Sequence, residues 1–223
     1  MKLRFIIILI FGFQLLYGQS DSLLVTKNFE FKDGVYLSFE AFQRNQPAYT
    51  WEDLRTNLIS NPQTFTAKVQ FIRIKENETP LHLDSVWGIS LGGLPYVRIE
   101  DTSDGSELTN FAALKVRGKI CYYEYEAYEE VTVPIKAYNP YTGKPYLEST
   151  VKRQKQVMEE WIMDFETGEV LRLNPDNLKL WVREDSQLIE AIESLGEEAW
   201  DWDKLFKCIL IYDDRHPTYI IQD

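Results

Sequence analysis

The chain has 223 residues, 44% hydrophobic and 14% aromatic, with 35 Asp and Glu against 24 Lys and Arg, for a formal net charge of −11. That apolar content supports a packed core and excludes a disordered acidic tail. The excess negative charge repels phosphate backbones and anionic membrane surfaces, which excludes general nucleic-acid binding and leaves open only a local basic patch.

At the start of the chain, Lys2 and Arg4 precede an apolar run from Phe5 to Tyr17, followed by Gly18, Gln19 and Ser20. A basic start, a short apolar centre and a small-residue exit predict a secretory signal peptide over residues 1–20. The run is shorter than the ~20 residues a membrane-spanning helix needs, and Gln14 interrupts it. Cleavage after Gly18 or Ser20 is expected, without a cysteine there for a lipid anchor and without a second segment able to span a membrane. The mature chain would work in the periplasm or outside the cell. Losing Lys2 and Arg4 takes its net charge from −11 to −13. Residues 21–223 have the length of a single domain.

After a polar leader, Asp33-Gly34 reads as a turn and Val35–Leu37 as a short strand. Ser38 can cap a helical turn carrying Phe39 and Phe42, which Pro47 ends. Thr50, with Asp53 as capping-box partner, predicts a second short helix burying Trp51, Leu54 and Leu58. Beyond Asn61-Pro62 the period changes to two, which predicts a sheet over about residues 65–173. Val69 and Phe71 lie in one strand, and Val86–Ser90 and Tyr96–Ile99 form a hairpin turned by Gly92-Gly93. A long strand is expected from Phe111 to Glu130, alternating Leu114, Val116 and Ile120 with Lys115, Arg117 and Lys119, as an antiparallel sheet with one wet face requires. Tyr138–Tyr146 reads as a loop. The return strand, Thr150–Phe165, brings Lys152, Arg153 and Lys155 near Glu124, Glu126, Glu129 and Glu130, so the two strands read as an electrostatically paired arm. Helices fill about residues 174–214. Asn174 caps the first with Pro175 at its first position, Ser186 caps a second that Gly196 closes, and Asp201 caps a third. Tyr219–Ile221 is a short final strand.

Candidate chemistry is sparse. His82 and Asp84 have the spacing of two metal ligands on one strand face, but no third ligand is identifiable. His216 beside Asp213 reads as a helix-terminal histidine rather than a catalytic dyad. Cys121 and Cys208 are either one disulfide or two buried small hydrophobes, and the second reading is preferred. Glu100, Asp101, Asp104 and Gly105 resemble part of a calcium loop, but Phe111 stands where its closing glutamate belongs. Glu159 and Glu160 are adjacent and point to opposite faces of a strand. Tyrosine supplies the strongest constellation: Tyr122, Tyr123, Tyr125 and Tyr128 as cross-strand packing, and Tyr138, Tyr141 and Tyr146 as a loop surface for binding protein or carbohydrate.

The run Gly34-Val35-Tyr36-Leu37-Ser38-Phe39-Glu40-Ala41-Phe42, then Asn45-Gln46-Pro47, resembles the opening motif of uncharacterised exported proteins of the Bacteroidota. Val86-Trp87-Gly88-Ile89 with Tyr96-Val97 is similar to their central hairpin. The resemblance covers about residues 31–98. It implies a Gram-negative envelope location and carries no catalytic residue.

The expected fold is α+β: an antiparallel sheet of about six to eight strands with a long hairpin, short N-terminal helices and a C-terminal helical segment. The expected function is non-enzymatic binding of an envelope protein or surface component through Tyr138, Tyr141 and Tyr146, with no cofactor, metal or nucleic acid and no membrane span after cleavage. The alternative is an envelope hydrolase acting on glycan or peptide through carboxylates. The oligomeric state stays open.

Overall fold

The computed structural model describes residues 22–99, 108–195 and 202–221. The expected signal peptide, the calcium-like segment Glu100–Gly105, Gly196 and the Asp201 cap lie outside the described residues. The architecture is α+β, with antiparallel strands dominant.

The first sheet contains β2 (Gly34–Tyr36), β3 (Leu54–Asn61), β4 (Thr66–Ile74), β5 (Pro80–Leu81), β6 (Gly88–Leu91), β7 (Leu94–Ile99) and β8 (Thr109–Ala113). Its main path runs β2-β6-β7-β8-β4-β3, and β5 pairs with β4. Val35, Leu54, Val69, Ile72, Ile89, Tyr96 and Phe111 share one cluster although they come from both ends of that path. The sheet therefore curls, and residues 48–49 draw its ends together by exchanging backbone hydrogen bonds with Val35 at 2.8 and 2.9 Å.

The second sheet is β9 (Ile120–Tyr138), β10 (Pro145–Asp164) and β11 (Val170–Arg172) in the order β11-β10-β9. Side chains alternate across a strand, so its base presents two faces. Cys121, Tyr123 and Met163 pack with Tyr36, Phe42, Val97 and Leu114 on the outside of the curled sheet. Ile120, Tyr122 and Ile162 pack on the other side against the C-terminal helices. Those helices are α2 (Pro175–Trp181), α3 (Ser186–Glu193) and α4 (Trp202–Arg215), following α1 (Phe39–Gln43) near the start. The result is three layers: curled sheet, second sheet, helices.

Local chemistry explains the joints. Ser38 Oγ accepts from Ala41 N at 3.2 Å and starts α1. Phe42, fully buried, stacks on Phe31 at 4.6 Å between ring centroids and lies 4.7 Å from Trp87 and 5.8 Å from Phe165, tying both sheets together. Asn174 Oδ1 accepts from Asn177 N at 2.8 Å and starts α2. Gly92 and Gly93 turn β6 into β7 with φ of 59° and 76°, backbone that L side chains rarely adopt.

Several expectations need correcting. The Thr50 helix is a single 3-10 turn, Trp51–Asp53, closed by its capping box; Leu54 then enters β3 and pairs with Ile74. Strands begin upstream of residue 65, with β2 and β3 in the same sheet. The continuous strand 111–130 is two strands, because residues 114–119 turn a corner from one sheet to the other, while Leu114, Val116 and Ile120 stay buried through it. Asp185, not Ser186, caps α3, its carboxylate accepting from Leu188 N at 3.1 Å. The leader holds β1 (Ser22–Val25), paired with β12 (Thr218–Ile221). Cys121 and Cys208 are both free and buried, and burial pushes the Cys121 thiol up to about 12.

Candidate functional site: the hairpin and its base

β9 and β10 pair from Ile120↔Asp164 to Tyr138↔Pro145. The last fully buried residue along β9 is Ala127. From Glu129 and Lys155 outward the ribbon has no neighbouring strand among the described residues, since β11 reaches only Trp161–Met163 of β10. Ten residues of β9, 129–138, extend about 30 Å at ~3.4 Å per residue.

Residues 139–144 join the strands. Asn139 Oδ1 accepts from Tyr141 N at 2.9 Å and Thr142 N at 3.3 Å, and Gly143 takes φ 64°. Tyr138 is 57% exposed at the end of β9, and Tyr141 is 96% exposed in the turn. The backbone of Tyr146 belongs to β10, and its side chain lies outside the described set. The strand tyrosines divide by position: Tyr122 and Tyr123 are buried, Tyr125 is half-buried and Tyr128 is exposed.

Register sorts the arm's side chains. One face carries Val131, Val133, Ile135 and Ala137 of β9 and Leu147, Ser149, Val151 and Arg153 of β10. It continues the face that packs against the curled sheet nearer the base. The opposite face is polar, with Lys152 on Glu130 at 2.6 Å and Lys136 on Glu148 at 2.9 Å. The expected pairing of basic and acidic residues is thus partial. Arg153 and Lys155 make no ion pair among the described residues, although Lys155 stands opposite Glu129.

At the base, sequence reasoning missed a coupled cluster. Glu124 and Glu160 are direct cross-strand partners. The Tyr122 hydroxyl contacts both, Glu160 Oε1 at 2.9 Å and Glu124 Oε2 more closely. Lys115 Nζ reaches Glu124 Oε1 at 2.5 Å. Burial raises the Glu160 carboxyl. Glu124, although partly desolvated, is held low by Lys115 and Tyr122. A hydroxyl has one proton to donate, so Tyr122 can donate to only one of the two carboxyl groups at a time. The space between the two carboxyl groups is filled by the Tyr122 hydroxyl, which makes the cluster a cross-strand strut. Adjacent Glu159 faces the other way and holds Arg172 at 2.5 Å. A cleft of about 430 Å³ lies beside the strut, lined by Asn61, Ile99, Lys115, Glu124, Tyr128 and Met158 among others. No sequence spacing reveals such a strut, because Tyr122 and Glu160 lie 38 residues apart in the chain.

The other candidates have structural surroundings. His82 precedes the 3-10 turn Leu83–Ser85, where its carbonyl accepts from Ser85 Oγ at 2.6 Å, and Asp84 faces Arg98 at 3.8 Å. His216 stacks on Tyr212 at the end of α4. Gly92 and Gly93 point their amides at an anion, and that anion is Asp33: its carboxylate accepts from them at 3.0 and 2.8 Å and from Ser90 Oγ at 3.2 Å. Among the described residues no group of three His, Cys, Asp or Glu is placed to hold a metal ion, and no helix is long and apolar enough to cross a membrane.

The resembling motif has internal work. Asn45, buried with φ 52°, accepts from Lys32 N at 2.7 Å and from the Tyr36 hydroxyl at 3.0 Å. Gly34 leaves no room for a Cβ, which would stand 2.1 Å from Tyr49 O. No family model, curated protein or solved structure matches the chain.

Proposed function

We propose that this is an exported envelope protein of the Bacteroidota kind that acts by binding a surface component, with the β9–β10 arm as its contact element. One observation carries the reading: the ribbon runs about 30 Å past the core with Ile135, Tyr138, Leu147 and Val151 exposed on it. A two-stranded ribbon packed on nothing is marginally stable in water. Exposed apolar side chains on such an element mark an interaction surface. Tyr138 and Tyr141 add flat apolar rings with polar tips at the far end.

The test replaces residues 130–154 by Asn-Gly, joining the cross-strand partners Glu129 and Lys155 through a two-residue turn. The full chain should sediment with Gram-negative envelope preparations. The shortened chain should stay in the supernatant with its thermal unfolding unchanged. Equal sedimentation of both would refute the reading.

A further inference from the structure

Charge in this molecule is segregated. The arm, residues 129–155, contains Lys136, Lys144, Lys152, Arg153 and Lys155 against Glu129, Glu130 and Glu148. It therefore carries +2, and with −11 overall the rest of the chain carries −13. Repulsion from anionic surfaces, inferred from the whole-chain charge, applies to the body and not to the arm. Among the described residues Lys144, Arg153 and Lys155 make no ion pair, and Arg153 and Lys155 share a face with Val131, Val133, Ile135, Leu147 and Val151, and with Glu129 opposite Lys155.

We propose that the arm docks on an anionic lipid bilayer, laying its cationic, apolar face in the headgroup region with Tyr141 of the turn at the interface. This rests on the binding function proposed above and names the surface. Three observations favour a bilayer. The face belongs to a two-stranded ribbon whose apolar side chains stand beside Arg153 and Lys155, the pattern that couples apolar burial to attraction by anionic lipid. Tyr141, exposed in the turn, suits the membrane–water boundary. Among the described residues neither strand edge of the arm is paired, and a backbone with open edges remains among headgroups rather than entering hydrocarbon.

The experiment is co-sedimentation of residues 21–223 with vesicles of phosphatidylglycerol and phosphatidylcholine in graded ratio. Each basic residue near an anionic surface contributes roughly fivefold in partitioning. Arg153→Glu with Lys155→Glu takes residues 129–155 from +2 to −2 and should weaken binding to phosphatidylglycerol vesicles by roughly several hundred-fold. Tyr141→Ala should weaken it severalfold, and high salt should abolish it. Circular dichroism and thermal unfolding check that each variant folds. Equal binding to pure phosphatidylcholine, no binding to phosphatidylglycerol at low salt, or full binding by the chain lacking 130–154 would overturn the proposal. So would a dimer in sedimentation equilibrium that the double reversal dissolves, since the partner would then be the acidic body of a second copy. If vesicle binding fails while envelope sedimentation still needs residues 130–154, the lipid assignment falls and the binding function stands. If envelope sedimentation does not need them, both fall.

Discussion

Asp213 should make the protein lose stability between about pH 4 and pH 7, and Asp213→Asn should remove that loss. The carboxylate sits where α4 meets the corner between the sheets. Its Oδ1 accepts from Ile120 N at 2.8 Å, while its enclosed Oδ2 has no hydrogen-bond partner. Gly118 makes the approach possible, since a Cβ there would stand 2.2 Å from Oδ2. Neighbouring Lys119 does not neutralise it, because its ammonium holds Glu166 at 2.6 Å. Burial outweighs the two backbone amides and raises Asp213 from 3.8 to about 7. The unfolded chain releases this proton near pH 4 and the folded chain near pH 7, so between those values the folded state binds more protons. Stability from this group is therefore highest below pH 4 and falls until about pH 7. Three pKa units correspond to a loss on the order of 4 kcal/mol. The assay is urea unfolding of both proteins from pH 4.5 to 8. The stability difference, wild type minus Asp213→Asn, should fall by a few kcal/mol across that range. Parallel curves would refute the reasoning, because they would mean that Asp213 is ionised in the fold at an ordinary pKa.

Asp33→Ala should cost about 2–3 kcal/mol in urea unfolding, because it strips a carboxylate from the two turn amides and Ser90; a change below 0.5 kcal/mol (roughly the size of an ordinary surface substitution) would show that the turn holds by itself. Phe42→Ala should cost about 3–5 kcal/mol, because five aromatic rings around it lose their common neighbour. Lys152→Ala, which removes an exposed ion pair, should change stability by less than about 1 kcal/mol. A larger loss would show that the arm belongs to the cooperative core.

What was legible in the sequence is what short-range chemistry decides. Ser38, Asn174 and Pro175 mark helix starts because capping needs only residues three positions apart. The α+β class follows from the change of period near residue 65. β3 was misread because Leu54 and Leu58 fit a helical stripe and an alternating strand equally well. The Thr50–Asp53 box is real but serves one turn before pairing with β4 takes over. Distant couplings were not legible: Asp213 on the 118–120 corner and the Tyr122 strut depend on three-dimensional packing. Segregation of charge was legible in a window of about 25 residues, yet it vanishes when −11 is averaged over the whole chain.

The most direct measurement of the central claim is peptide-resolved amide hydrogen exchange on the free protein, repeated with phosphatidylglycerol vesicles. An arm that stands clear of the core exchanges quickly over 129–156, while 120–127 and 160–164 stay protected, and vesicles then slow exchange in the arm alone. Protection of 129–156 in the free protein equal to that of the core, unchanged by vesicles, would contradict the account.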